Sequence, residues 1–389
     1  MNKKNSLVYI LNSYSENESS HFYHILNLLN CIAKKNVDIT LVIEKCDGEP
    51  ILDDRVKLIK INKKGLMRYV LLFKILRGIA KEKKSAIYVR ISSVTALVAK
   101  FSSFFTKSKL YFWQSGTTHE WDWEQPFNFK KIKWMVKSYF PSYMARKMVD
   151  YFVTGPEYMV GYYSDVVGIT KNKIKLLYND IDVNRFSLNE LETIEFRNKL
   201  EADYPILVGR RIALMVHRMS PVRKTTMYIP EALLASYQAY EDVVFIFAGG
   251  GSEVPEIMSS VNKYGIQDRV IFLGDFPNEK IQYLYAISNV FLHPTYNEGF
   301  PRVILESMAA GLPFVSTDAG GVFDIIPNEM REYVSDKNDI ESFSNNLVRI
   351  LSSEVAINYL SGSCKKQAIK FDTDKIANMY INVLFEEKA

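Results

Sequence analysis

Short apolar runs rich in β-branched residues alternate with amphipathic stretches along this whole chain, and that alternation restricts the fold more than any other feature. In the first half the strand candidates are Leu7–Leu11, Val37–Ile43, Val56–Ile61, Ala86–Val89, Lys109–Trp113, Tyr151–Thr154 and Ile174–Tyr178. Segments of helical period separate several of them: His21–Lys34, Gly65–Lys83 and Phe129–Met148. Strand–helix–strand alternation with short links predicts a parallel sheet covered by helices on both faces. After about residue 205 the rhythm restarts, with strands expected at Arg211–Val216, Val243–Ala248, Val270–Leu273, Val290–Leu292 and Phe314–Ser316. Helices are expected to begin near Lys224, Glu253, Asn278, Pro301 and Asp339. The fold class is therefore α/β, with two doubly wound units whose ligands bind beyond the carboxyl ends of the strands. A length of 389 residues suits two such domains. The turn-rich segment Asn179–Phe186 separates them, giving domains at 1–185 and 186–371 and a final helical segment at 372–389.

Charge divides the same way. Residues 1–185 carry 30 Lys and Arg against 17 Asp and Glu, about +13, whereas residues 186–389 carry 19 against 27, about −8. Halves so different in charge point to different partners, the basic one suiting anionic lipid, nucleic acid or a phosphorylated substrate. Three scattered cysteines, Cys31, Cys46 and Cys364, make neither a disulfide framework nor a metal pattern, which suits a reducing cytoplasm. Lysines precede the apolar run Leu7–Leu11, but the run is too short for a signal peptide and reads as a first strand. The best apolar stretch, Leu66 to Leu76, holds Arg68 and Lys74, so no membrane span is expected.

Chemistry concentrates at His293–Pro313. A strand ends at His293, a loop carries Glu298 and Gly299, and Pro301 is placed to open a helix. Glu306 then lies one to two turns inside that helix. Gly299 lets backbone approach a ligand closely, and the helix N-terminus offers free N–H groups to an oxygen-rich or phosphorylated one. Carboxylates accept from sugar and ribose hydroxyls.

Glu298 and Glu306, with seven residues between them in the context Asn-Glu-Gly-Phe-Pro…Leu-Glu-Ser-Met-Ala-Ala-Gly-Leu-Pro, resemble the signature of the GT4 family of retaining glycosyltransferases. That resemblance implies the GT-B architecture, two Rossmann-like domains facing each other across a cleft. His217-Arg218-Met-Ser-Pro-Val-Arg223-Lys224 is similar to the family's Gly-Arg…Lys-Gly loop, whose Arg and Lys bind the donor diphosphate. Here His217 and Thr225 stand where the family has glycines, and the loop is one residue longer. Counting from Arg218 puts Arg223 at the Lys position; counting back from Glu231 puts Lys224 there, the assignment we favour. The turn around Gly250 and the segment from Gly274 to Phe276 resemble the family's Gly-rich and base-facing segments, and Ala319-Gly320-Gly321 its pocket-closing loop. Asp180-Ile181-Asp182 resembles the hinge, not a metal-holding Asp-x-Asp motif.

By the same resemblance Arg218, Lys224 and Glu298 are the expected catalytic residues. Arg223, Gly250, Gly274, Phe276, Gly299, Phe300, Pro301, Arg302, Val303 and Glu306 are expected around the donor, with Glu306 on the ribose. The nucleotide-sugar is then a substrate, and neither cofactor nor metal is expected. On the acceptor side the match is looser: the loop after the first strand, Asn12–Ser20, has no glycine, and Ser115-Gly116 lacks the usual preceding histidine, leaving His119 as the candidate.

Between Phe129 and Lys147, lysines and aromatics interleave at helical spacing. Lys130, Lys131, Lys133, Trp134 and Lys137 fit a helix lying on an anionic membrane, and equally a core-packed helix with a solvated basic face. No nucleic-acid-binding module accompanies the charge. The expected partners are a nucleotide-sugar donor and a glycan or lipid-linked glycan acceptor, with peripheral contact to an anionic membrane. The expected place is the cytoplasm, at the inner face of the cell membrane if that contact exists. The expected role is surface polysaccharide or glycolipid assembly. The alternatives are a soluble disaccharide or small-metabolite glycoside synthase, and a non-catalytic relative that binds a nucleotide or glycan.

Overall fold

A computed structural model describes residues 5–15, 23–82, 85–106, 108–116 and 127–385. The chain divides into two compact units, Met1–Asp180 with Thr373–Ala389, and Ile181–Asp372. The division falls after Asp180, since Ile181 already forms a β-bridge with Asp372, and Arg185 bonds to Asn278 and Gln282 of the second unit.

The first unit is built on seven parallel strands: β1 (Ser6–Leu11), β3 (Asp38–Ile43), β5 (Val56–Lys60), β6 (Ala86–Arg90), β7 (Lys109–Trp113), β8 (Tyr151–Thr154) and β9 (Ile174–Leu176), in the order β5-β3-β1-β6-β7-β8-β9. The two-residue strands β2 (Tyr14–Ser15) and β4 (Cys46–Asp47) pair separately. Central β1 shows why its run is apolar throughout. Leu7, Tyr9 and Leu11 pack with helices Tyr23–Lys34 and Thr373–Phe385, through residues such as Leu29, Ile376 and Tyr380. Val8 and Ile10 face the other way, toward Leu72, Leu76, Ala96 and Ala145. A strand covered on both faces has no polar side to alternate with. The helix Thr373–Phe385, which the sequence places near Asp372–Glu387, packs against Tyr23–Lys34 in this unit.

The second unit has six parallel strands: β10 (Arg211–Val216), β11 (Val243–Ala248), β12 (Val270–Gly274), β13 (Val290–His293), β14 (Phe314–Thr317) and β15 (Val334–Ser335), in the order β12-β11-β10-β13-β14-β15. The chain steps outward from β10 through β11 to β12, then returns to β10's other side with β13. The order thus reverses between β10 and β13, the switch point where open α/β sheets leave a crevice.

Two helices depart from expectation. The one placed near Lys224 is a 3-10 turn at Thr225–Met227 followed by a helix at Ile229–Ala239, because Lys224 is left-handed (φ 51°) and Pro230 sits in the first turn. The run Phe129–Met148 is helical but widens into a π turn at Met135–Tyr139. Pro141 has no N–H to give to Lys137, and the bond ladder shifts just ahead of it. Cys364 is buried, Cys31 and Cys46 are half-buried, and all three are free thiols.

Candidate active site

In the second unit, loops from the carboxyl ends of β12, β11, β10 and β13 are joined edge to edge by hydrogen bonds. The Gly249 N–H donates to the Gly274 carbonyl (2.7 Å), and the Met219 N–H to the Gly250 carbonyl (3.0 Å). The glycines permit this approach. A Cβ on Gly249 would stand 2.2 Å from the His217 carbonyl oxygen, and one on Gly251 1.8 Å from that of Met219. The triple glycine thus serves chiefly to seat the loop after β10. Glu253, just beyond it, is buried and accepts from the Thr225 N–H and the Thr226 hydroxyl (both 3.2 Å), capping the turn that follows Lys224.

Across the switch point the loops after β10 and β13 are tied together. The Tyr296 N–H donates to the Arg223 carbonyl (2.8 Å) and Asn297 Nδ2 to the Val222 carbonyl (3.1 Å). The Arg223 guanidinium pairs with the Glu298 carboxylate, and the Lys224 ammonium lies 3.5 Å from the Tyr296 ring centroid. Burial pushes the Glu298 carboxyl up, but the Arg223 charge, then His293 and the hydrogen bonds from Arg223 and the Gly299 N–H, outweigh it and leave it below the usual carboxylate range. Arg218 is exposed, without hydrogen bond or ion pair among the described residues.

Beneath these groups two imidazoles meet edge to face, His217 at the end of β10 and His293 at the end of β13, with centroids 5.7 Å apart. His293 Nδ1 bonds the Ser316 hydroxyl (2.9 Å). Burial, then the Arg223 charge for His217, pushes both rings down, His293 to about 4, so both are neutral near pH 7.

Glu306 lies in the helix Arg302–Ala310 with partners of its own. The Tyr285 hydroxyl donates to its Oε2 (3.0 Å), and Arg302 stands 3.9 Å away. Burial pushes this carboxyl up, against the pull of Arg302. Phe300 and Pro301 are buried at the helix start; Arg302, Val303 and Phe276 are half-buried. The structure therefore puts Arg218, Arg223, Lys224, Gly250, Gly274 and Glu298–Pro301 on loops at the carboxyl edge of one sheet, and sets Glu306 one helix turn beyond Arg302. Tyr285, Tyr296 and Glu253 also belong to this arrangement. Only Glu253, two positions after the triple glycine, carries a sequence signal that could have found it.

In the first unit the Ser115 hydroxyl donates to the Gly155 carbonyl (2.9 Å), and the Tyr163 hydroxyl to that of Gly116 (3.3 Å). His119 lies outside the described residues. On the helical run Phe129–Met148, Lys130, Lys133 and Lys137 are exposed, and Lys131 and Trp134 half-buried, the indole 5.5 Å from the Tyr139 ring. Phe129, Ile132, Val136, Phe140 and Tyr143 recur every three or four positions and are all exposed, Phe129 at 79%. Such spacing aligns them on one helix face.

Residues 196–371 match the model of the family described as Glycosyl transferases group 1. An Escherichia coli UDP-Gal:alpha-D-GlcNAc-diphosphoundecaprenol alpha-1,3-galactosyltransferase is 30% identical over 231 residues, 54% of this chain and 55% of that protein. The N-acetyl-alpha-D-glucosaminyl L-malate synthase of Bacillus anthracis is 23% identical over 214 residues, 55% of this chain and 54% of the synthase. The chain thus spans about half the length of these curated relatives. Among solved structures, Anabaena Alr3699/HepE in complex with UDP and glucose aligns with a TM-score of 0.73 at 18% identity, over 97% of this chain and 99% of that one. Sucrose-phosphate synthase from Thermosynechococcus elongatus aligns with a TM-score of 0.72 at 16% identity, over 98% of both chains. At such identities the likeness speaks for the fold, and it gives both units the Rossmann-like GT-B form. The family match runs from the helix before β10 to the end of the second unit, so it is the second unit that resembles the group 1 glycosyltransferases.

Proposed function

We propose that this protein transfers a sugar from a UDP- or GDP-sugar to an acceptor hydroxyl with retention of anomeric configuration. The observation that supports the proposal is the pairing of loops 217–224 and 294–301 at the switch point, where Arg223 meets Glu298. Arg218 and Lys224 hold the diphosphate, so that charge building on the β-phosphate oxygen meets two cations without a metal. Glu298 and the amides near Gly299 and Phe300 hold the transferred sugar. Glu306 binds the ribose, while Gly250, Gly274 and Phe276 line the base side. The bond from the anomeric carbon to the β-phosphate oxygen breaks as one forms to the acceptor oxygen on the same face. The acceptor's proton passes to the leaving phosphate, releasing a nucleoside diphosphate. The UDP in the Anabaena complex supports a uridine donor.

The acceptor in this reading is a glycan or lipid-linked glycan in surface polysaccharide or glycolipid assembly, bound by the first unit near Ser115 and Gly116. The undecaprenol-linked substrate in the name of the Escherichia coli relative supports it. So does the exposed stripe Phe129–Tyr143. Residues 127–149 hold six Lys and Arg and no acidic residue, which suits aromatics in the interface of an anionic bilayer and lysines at its headgroups. The protein then works at the inner face of the cell membrane.

The test is nucleotide release from a panel of UDP-, GDP- and ADP-sugars. Release from one donor, reduced about 10²-fold or more in Arg218→Ala, is expected. Silence across the panel, with no donor binding by calorimetry, overturns the proposal in favour of a non-catalytic relative.

A further inference from the structure

We propose that Arg223 is a positioning residue for Glu298, and that the diphosphate is left to Arg218 and Lys224. The inference rests on the function proposed above and deepens it. The loop after β10 offers three cations, and the structure gives each a different situation. Arg218 is exposed and unengaged among the described residues. Lys224, left-handed at φ 51°, rests on the Tyr296 ring at 3.5 Å. Arg223 alone is paired with a carboxylate, Glu298, in an ion pair whose side chains are 26% and 15% exposed.

These situations differ in what a diphosphate would have to displace. Arg218 gives up only water. A cation–π contact at a partly open site is weak and easily exchanged for an anion. Taking Arg223 from Glu298 would instead strand a mostly buried carboxylate without its counter-ion, which costs several times more. Backbone geometry points the same way. The Arg223 carbonyl accepts from Tyr296 and the Val222 carbonyl from Asn297, so this segment is fastened to the very loop that carries Glu298. The loop has room for both roles because Arg223 and Lys224 stand side by side where the GT4 pattern has one lysine.

Calorimetric titration of UDP and of GDP, beside turnover of the active donor, separates the two assignments. Arg223→Ala is expected to bind the nucleoside diphosphate within about twofold of wild type, whereas Arg218→Ala loses about tenfold or more. Turnover by Arg223→Ala falls about a hundredfold, and the acid limb of its kcat profile moves to higher pH, because Glu298 stays buried but loses its nearest positive charge. Arg223→Lys, which keeps the charge, recovers part of the rate. In a Glu298→Gln background, Arg223→Ala adds less than about threefold, since a residue acting through another has little left to lose. Loss of nucleotide affinity in Arg223→Ala as large as in Arg218→Ala, or a full additive loss on Glu298→Gln, overturns the proposal. Wild type that binds neither nucleotide overturns the proposed function itself, and this inference with it.

Discussion

Both units end their parallel strands in polar groups, yet they use them in opposite ways. In the second unit the groups at the carboxyl edge lie on loops laced together by backbone hydrogen bonds, and Arg218 stands open to solvent. In the first unit two charged groups among the described residues at that edge are turned inward. Glu44, fully buried, takes the Thr95 hydroxyl and lies 2.9 Å from Arg68 Nε. Arg90, also buried, covers the Trp113 ring at 3.8 Å and donates to Asn179 Oδ1 (3.1 Å). Arg218 is left open, whereas Glu44 and Arg90 are spent on packing and hydrogen bonds within their own unit. The first unit instead presents its unsatisfied surface on a helix face, as apolar side chains among lysines.

The sharpest way to break this contrast uses two glycines with positive φ. Gly251 (φ 150°) has no room for a side chain, since a Cβ would lie 1.8 Å from the Met219 carbonyl oxygen. Gly116 (φ 133°), in the first unit, has nothing within 4 Å among the described residues. Gly251→Ala is expected to cost about 3 kcal/mol or more, from strain plus displacement of the loop after β10. Gly116→Ala is expected to cost about 1 kcal/mol, from the backbone conformation alone. Denaturant melts of the two variants check the difference. Equal losses would mean that the Gly-rich turn is not what seats the loop.

An intermediate effect is expected on the first unit's open face. Replacing Phe129, Val136 and Phe140 together with serine should weaken sedimentation with vesicles of phosphatidylglycerol and phosphatidylcholine by about tenfold or more, through lost apolar insertion. Vesicles of phosphatidylcholine alone should bind wild type poorly. Unchanged binding by the variant would leave the stripe without a membrane role. Donor affinity should stay as in wild type, because none of the three residues belongs to the second unit.

What could be read from the chain beforehand follows the same division. Asn297–Pro301 was legible because contiguous residues carry both the turn geometry and the chemistry. The Arg223–Lys224 ambiguity was visible as well, but two adjacent cations differ only in which way the backbone turns them, and φ at Lys224 is not written in residue type. Helix Glu190–Asp203 gave no period, since only Leu200 on it is buried. Helix Ser93–Ser103 hid for a different reason: small buried residues, Ala96 and Ala99, mark its inner face, while an exposed phenylalanine, Phe101, marks its outer one. Tyr285, in a short apolar helix, looked like any core aromatic.

That tyrosine gives the smallest of these effects and the finest probe of the second unit's site. Its hydroxyl donates to Glu306 at 3.0 Å from a ring that is fully buried. Tyr285→Phe removes one hydrogen bond to a charged group and leaves the ring packing intact, so a loss of about 1–2 kcal/mol in stability is expected at neutral pH. The pH dependence is more telling. Burial already pushes the Glu306 carboxyl up, while Arg302 and then the tyrosine hydroxyl pull it back. Without the hydroxyl the carboxyl takes its proton at a higher pH than in wild type. If ionised Glu306 receives the ribose hydroxyls, donor affinity in Tyr285→Phe should begin to fall at a higher pH as the solution is acidified, with the two proteins alike at alkaline pH. Calorimetric titration of UDP across that range decides it, and identical profiles would take Glu306 off the ribose.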